Sequence, residues 1–290
     1  MSDSLVEAGK NTQLERKAGK LYEYDSARRR LPVVEEFIEL LRYRDLLVLL
    51  ISRNIKIRYK RSILGLAWTM LNPLMMMIIM TLVFSSIFAV AVHNYAVYVL
   101  SGLILWNFFS QTTVAATNEL VWGGNLMTRI YVPPTAFAIT AIGTGLVNIL
   151  LSLVPLLLIM LVTGAPFSFT ILLLPVSIIF VAMFALGLSL LLSTLAIYFT
   201  DVLEMYQVIL LGWFYLTPII YPMSMIPQRY VWLLSLNPMY GLLEIFRSPL
   251  LQGELPSLMS YATTGLMSIT TLLVGWWFFA RKADEIAYRI

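Results

Sequence analysis

Along this chain the charged residues come in blocks, and the gaps between the blocks are long and apolar. Ile63 to Val92 carries no charge; His93 and Asn94 interrupt, and Tyr95 to Asn118 is again uncharged. Ile130 to Thr200 holds no charge over 71 residues, enough for two membrane crossings, with Gly164-Ala165-Pro166 as the turn between them. Met205 to Gln228 and Leu255 to Ala280 are the fifth and sixth stretches. Each reaches or exceeds the roughly 20 residues with which a helix crosses a bilayer core. At such lengths in lipid only helices satisfy their own backbone. The pattern therefore predicts an all-α polytopic membrane protein with six transmembrane helices.

Two further segments depart from that rhythm. Tyr230 to Leu243 is an apolar stretch of only 14 residues and is broken by Asn237-Pro238. With Pro222, Pro227, Pro249 and Pro256 around it, the region 222–256 predicts short re-entrant helices between spans five and six rather than a seventh span. Upstream, Phe37, Leu40, Leu41, Leu47, Val48, Ile51 and Ile55 recur at helical spacing, and Arg42, Arg44, Asp45, Arg53, Lys56 and Arg58 fall mostly elsewhere around the helix. This predicts an amphipathic helix over 32–62 lying in the membrane interface. Residues 1–31 read as a charged tail, and 63–290 as the transmembrane domain. The tail is rich in charges and has no apolar core, so no signal peptide is expected.

Composition sharpens this reading. The chain is 59% hydrophobic and 12% charged, against about 25% charged in soluble domains. Lipid must be part of its solvent. With the N-terminus inside and six spans, 18 of the 20 lysines and arginines fall on the inner side, and only Arg229 and Arg247 outside. Both termini are therefore expected in the cytoplasm. The chain has no cysteine and a single histidine, His93, which excludes thiol chemistry and metal sites built on Cys or His clusters. Gly9-Lys10 and Gly19-Lys20 lack the rest of a phosphate-binding loop. No nucleotide site, cofactor or metal is expected in this chain, and any ATP drive must come from another subunit.

Four constellations could carry function, each with a plainer reading beside it. The run from Arg53 to Arg61 (Arg53, Lys56, Arg58, Lys60 and Arg61) ends just before the first span. It reads as an anchor on anionic lipid, or as a receiving site for a phosphate-bearing lipid; the same charges can do both. Trp68, Phe84, Trp106, Phe108, Phe109, Trp213, Phe214, Tyr215 and Tyr221 read as interfacial belts, or as ring faces along a glycan path. The segment from Asn118 to Pro134 places Leu126, Met127, Arg129, Ile130 and Tyr131 on a short loop, and exposed apolar groups there point to a docking partner rather than a plain connector. Asp201 and Glu204 read as helix-start residues, or less plausibly as a proton relay.

Ile57-Arg58-Tyr59-Lys60-Arg61-Ser62-Ile63-Leu64-Gly65-Leu66-Ala67-Trp68, followed by Leu71-Asn72-Pro73-Leu74, resembles the opening signature of the permease subunits of bacterial polysaccharide-export ABC transporters. The stretches Asn125 to Pro134, Tyr198-Phe199-Thr200-Asp201, Thr217 to Pro222 and Asn237-Pro238-Met239-Tyr240 agree, in the family's order. The resemblance runs from about Phe37 to the C-terminus. It implies a homodimer in the bacterial cytoplasmic membrane, with two separate ATPase subunits that carry ATP and magnesium. It implies a coupling helix near 118–132 that seats Leu126 to Tyr131 in the ATPase, and outer gate helices near 222–256. It further implies a polyprenyl-pyrophosphate-linked polysaccharide as substrate, O-antigen first among the candidates, with Arg53 to Arg61 meeting the pyrophosphate. A teichoic-acid or capsule exporter of the same family is the nearest alternative. A small-molecule or lipid exporter, an ion-coupled transporter and a membrane-embedded transferase are the others. The last would need paired carboxylates or a histidine at an interface, and an ion-coupled carrier would want charges at mid-membrane. Nothing in the chain suggests nucleic acid as a partner.

Overall fold

The computed structural model describes residues 40, 42–88, 94–122 and 134–289, with side chains described as far as 282. Its elements are almost all helical. Helix α1 (Arg44–Tyr59) leads into α2 (Ala67–Phe88), α3 (Tyr95–Trp122), α4 (Thr135–Thr163) and, after a 3₁₀ turn at Phe169–Leu173, α5 (Leu174–Tyr198). Then come α6 (Val202–Leu216), two 3₁₀ turns, the short α7 (Val231–Ser235), α8 (Pro238–Leu251) and the long α9 (Leu258–Arg289). Among the described residues five helices are long and apolar enough to cross a membrane: α2, α3, α4, the unit of 3₁₀ turn plus α5, and α9.

The fifth expected span takes a different form. Helix α6 has 15 residues, or about 22 Å at 1.5 Å per residue, short of the roughly 30 Å hydrocarbon core. It stops because Pro218 follows Thr217. A residue before proline is pushed out of the helical region, and Thr217 is extended at φ −101°, ψ 131°. Hydropathy alone cannot register this, since Thr217 to Pro222 is as apolar as the helix before it. The turn after α4 follows the sequence pattern: Gly164 takes a left-handed φ of +70° and its N–H bonds Met160 O, the usual glycine stop of a helix.

The bundle is built around α3. It is the most enclosed span, with Val99, Leu100, Leu105 and Phe109 fully buried, and it packs on α4, α5 and α2. The closest helix pair is α5 with α9. There a Cβ on Gly275 would run into the backbone of Gly187, and one on Gly187 into the backbone at Thr271. Backbones approach this closely in membranes because van der Waals packing, rather than a hydrophobic difference from lipid, holds the helices together.

Helix α1 lies against α4, with Ile51 seated over Gly143. Leu46 and Leu47 join a second cluster with Leu40, Leu120, Phe137 and Phe279. The stripe expected from spacing is thus only partly buried: Leu47, Ile51 and Ile55 are half-buried and Val48 is 64% exposed, whereas Leu50, off the stripe, is covered. Docking on one neighbour, not the periodicity, decides which face is covered. Helix α8 is 14 residues long and drives Leu242, Ile245, Phe246 and Leu250 fully into the bundle, against α3, α5 and α9.

Candidate functional site

The first site is a cleft of about 550 Å³, with polar side chains set in a largely apolar wall, between the end of α1, the start of α2, and the facing sides of α3 and α4. Helix α3 lines it with Asn107, Gln111, Ala115 and Glu119, four residues apart, and α4 with Thr144, Asn148 and Ser152, again four apart. That spacing puts each set on one helical face. Asn72 and Trp68 of α2 and Asn54, Arg58 and Tyr59 at the end of α1 complete it. Gly145 lets α4 approach α3 closely beside it, since a Cβ there would strike Thr112 and Phe108.

The hydroxyls are spent on their own helices. Thr112 Oγ1 donates to Phe108 O at 2.6 Å, Thr144 Oγ1 to Thr140 O at 2.8 Å, and Ser152 Oγ to Asn148 O at 2.9 Å. The amides are not. Asn148 Oδ1 is buried with no hydrogen-bond partner among the described residues, and so is the Tyr59 hydroxyl at the cleft's α1 end. Unpaired buried polar atoms are uncommon enough to require an explanation. Near the same end, Asn54 Nδ2 donates to Glu119 Oε1 at 3.0 Å, tying α1 to α3 three residues before α3 ends.

The sequence-predicted residues divide around this cleft. Arg53, Lys56, Arg58, Lys60 and Arg61 are all exposed, and Arg58 reaches the cleft lining. Arg61 adopts a left-handed φ of 66° at the bend between α1 and α2, and Gly65 follows with φ 50° and its N–H on Ser62 Oγ. Trp68 is 53% exposed at the cleft mouth. Phe108 also reaches the lining but is buried. Trp106, Phe109, Trp213 and Phe214 form a ring cluster with Phe184 at centroid distances of 5.3–6.4 Å, mostly edge-on, with Phe109 stacked on Phe184. Phe109 keeps no exposed surface, so these rings pack on protein within this chain. Phe84 is half-buried against the main core. Tyr215 is 62% exposed, and the Tyr221 hydroxyl donates to its carbonyl at 2.7 Å. Leu126, Met127, Arg129, Ile130, Tyr131 and His93 lie outside the described residues. Asp201 holds the N-cap position of α6, but its side chain makes no capping bond, and it and Glu204 are exposed. Among the described residues no group of His, Asp or Glu could hold a metal ion.

A second constellation lies at the opposite end of the bundle, and sequence reasoning missed its centre. Arg247 of α8 is 7% exposed and has no acidic partner among the described residues. Its Nη1 donates to Pro218 O at 2.6 Å, and its Nη2 to Ile219 O at 2.8 Å and to Tyr98 O at 3.0 Å. The guanidinium also lies 3.8 Å from the centroid of the Tyr98 ring. Gly102 makes room for it, as a Cβ there would clash with the guanidinium. The Tyr98 hydroxyl sits within bonding distance of Pro218 O and Tyr221 O, and the Tyr95 hydroxyl donates to Ile220 O at 2.9 Å. Four consecutive carbonyls of the broken segment after α6 therefore each accept a side-chain hydrogen bond. Non-helical backbone deep in a membrane protein persists only when it is satisfied in this way. Asn237 fixes the near end of the same break: its Oδ1 accepts from Trp213 Nε1 and from Met239 N, and its Nδ2 donates to Thr217 Oγ1. A lone arginine within the apolar run of α8 was the available signal. Counting it only as a loop charge hid it.

Comparison with known proteins places this architecture. Residues 45–251 match the family described as ABC-2 type transporter. The O-antigen export system permease protein RfbA of Myxococcus xanthus is 28% identical over 254 residues, 87% of this chain and 98% of that relative. RfbA of Klebsiella pneumoniae is 26% identical over 235 residues, 79% of this chain and 90% of that relative. The polysialic acid transport protein KpsM of Escherichia coli is 23% identical over 232 residues, 78% of this chain and 89% of that relative. The matched region runs from the start of α1 to the end of α8, taking in both the cleft and the arginine clamp, and the chain belongs to the ABC-2 type transporter membrane family.

Proposed function

We propose that this chain is the membrane-spanning subunit of an ATP-driven exporter that moves a polyprenyl-pyrophosphate-linked polysaccharide, of the O-antigen kind, across the bacterial cytoplasmic membrane. The observation that carries the reading is the junction of α1 and α2. Five basic side chains stand exposed there, beside the mouth of the cleft, and the relatives are O-antigen export permeases by name. Arginine and lysine pair readily with phosphate oxygens. The junction faces the cytoplasm, as the lysine and arginine distribution indicates. Both termini lie on that side, with α6 and the clamped segment after it making the fifth of six crossings.

The working assembly is a pair of these chains with two ATPase subunits beneath, which supply ATP and magnesium. One chain alone leaves much of α2 bare: Met75, Met76, Ile79, Leu82, Val83 and Ile87 are exposed, a face suited to a second copy or to lipid. The segment holding Leu126, Met127, Arg129, Ile130 and Tyr131 directly follows α3 and seats in the ATPase. Trp68 and Tyr215, which are exposed, favour passage of a sugar chain by offering broad, weakly sticky faces. Export of a capsular polymer is the second reading, favoured by the likeness to KpsM. The test is the combined Arg58→Gln, Lys60→Gln, Arg61→Gln variant in a cell that needs this exporter. Surface polysaccharide is expected to fall several-fold while the protein still accumulates in the membrane. Unchanged export would overturn the phosphate-receiving role.

A further inference from the structure

We propose that the cleft between α1/α2 and α3/α4 is a binding site for a neutral sugar, namely the residue joined to the lipid's phosphate, and that Asn72, Asn107, Gln111 and Asn148 read it. This rests on the reading of a lipid-linked glycan as cargo and names which part of it this chain recognises.

Three properties of the cleft support the assignment. Its volume of about 550 Å³ lies within the roughly 300–1,000 Å³ of small-molecule sites. Its lining includes the side-chain amides Asn72, Asn107, Gln111 and Asn148. A primary amide offers donors and an acceptor on one plane, which matches a sugar hydroxyl that must give and receive a bond at once. Neighbouring hydroxyls are already bonded to their own helices, so the amides hold most of the free capacity, and Asn148 Oδ1 is left buried without any partner. Finally, the lining carries formal charge only at its α1 end, on Arg58 and Glu119. Glu119 is held by Asn54, while Arg58 is exposed. A phosphate anchored at Arg58 therefore directs the group attached to it into an uncharged, hydrogen-bonding space. An acidic sugar would find no cation deeper in the cleft. Trp68 at the mouth and Phe108 in the wall supply apolar faces against which a sugar ring can lie.

The site explains a pattern with no other use. Amides deep in membrane helices are costly unless paired, yet α3 and α4 repeat polar residues at intervals of four along the cleft. A hydrated gap would tolerate them without discriminating between ligands. The two ideas differ in what they predict for a ligand with and without its sugar.

The absence of cysteine in the chain makes a clean test available. Ala115, which lines the cleft, is replaced in the full-length protein as Ala115→Cys, and the variant is placed in lipid nanodiscs. The rate of modification by a small thiol reagent is measured with no addition, with farnesyl diphosphate, and with farnesyl diphosphate bearing N-acetylglucosamine. Retention of each probe by the protein is measured in parallel. The sugar-bearing probe is expected to slow labelling about tenfold more than the sugar-free one, the order of affinity change that two added hydrogen bonds bring. Adding Asn107→Leu or Asn148→Leu should remove that difference while leaving retention of farnesyl diphosphate unchanged. A sugar-bearing probe that is retained but protects no better than farnesyl diphosphate overturns the sugar site and leaves the export reading standing. Protection that survives both leucine variants overturns it as well. Retention of neither probe overturns the lipid-pyrophosphate reading itself, and the sugar assignment with it.

Discussion

Replacing Arg247 by methionine keeps most of the side chain's length but removes a buried cation and its three donated hydrogen bonds. Of the three acceptors, Tyr98 O keeps a bond from Ser101 Oγ, while Pro218 O must share the single Tyr98 hydroxyl proton with Tyr221 O. Ile219 O, itself in a nearly fully buried residue, is left with no side-chain donor among the described residues. Stranding one buried carbonyl costs about 1–3 kcal/mol, and a desolvated cation–π contact contributes up to about 2 kcal/mol more. Relief from burying an unpaired guanidinium offsets part of this, so the net loss expected for Arg247→Met is about 2–3 kcal/mol. The fault is local, and the segment from Thr217 to Pro222 should loosen first. The assay is limited proteolysis in nanodiscs alongside thermal unfolding. The variant should gain a cleavage site within residues 217–222 and unfold at lower temperature, with α5 and α9 still protected. Arg247→Lys should fall between the two, because an ammonium lacks the planar fork that spans neighbouring carbonyls. A methionine variant as stable and as resistant as the parent would refute the clamp, and would mean that the carbonyls find other donors.

The remaining predictions probe other joints. Asn237→Asp keeps the acceptor for Trp213 Nε1 and Met239 N but loses the donor to Thr217 Oγ1, whereas Asn237→Leu loses all of them; stability should fall in that order, with the helix cap alone worth about 1 kcal/mol, read by thermal unfolding in detergent. Gly275→Leu drives a side chain into the backbone of Gly187, which has no flexible end to swing away; a cost beyond the usual roughly 1–3 kcal/mol of overpacking should abolish accumulation in the membrane, seen as loss of the full-length band. Leu126→Asp with Tyr131→Asp should leave the chain in the membrane but separate it from an ATPase subunit on co-purification; an intact complex would move the docking surface elsewhere.

Much of this protein was legible in the order of its residues. The long uncharged stretches follow from the thickness of a bilayer and the need to close backbone hydrogen bonds within a helix. The stop at Gly164 and the short helices around Asn237-Pro238 follow from backbone chemistry that acts within a few residues. The basic run before α2 is equally local, and the family likeness sits in such contiguous motifs. The spacing of Asn107 and Gln111, or of Thr144, Asn148 and Ser152, was also visible as a polar stripe in each helix. What no single helix states is that the two stripes face each other, since that depends on how α3 and α4 rotate when Gly145 meets Phe108 and Thr112.

The clamp shows the division most plainly. Sequence alone placed Pro218 inside the fifth apolar stretch and Arg247 in the region after it, and it read the first as part of a continuous span and the second as a loop charge. Only the tertiary structure decided that the second answers the first, 29 residues away. Hydropathy adds up residues one at a time, whereas the free energy of a buried cation and of an open carbonyl depends on the partner each finds in three dimensions. The same holds for the aromatic residues: composition marked them as candidates for a path, but packing placed Phe109 wholly within the protein and left Trp68 and Tyr215 at its surface.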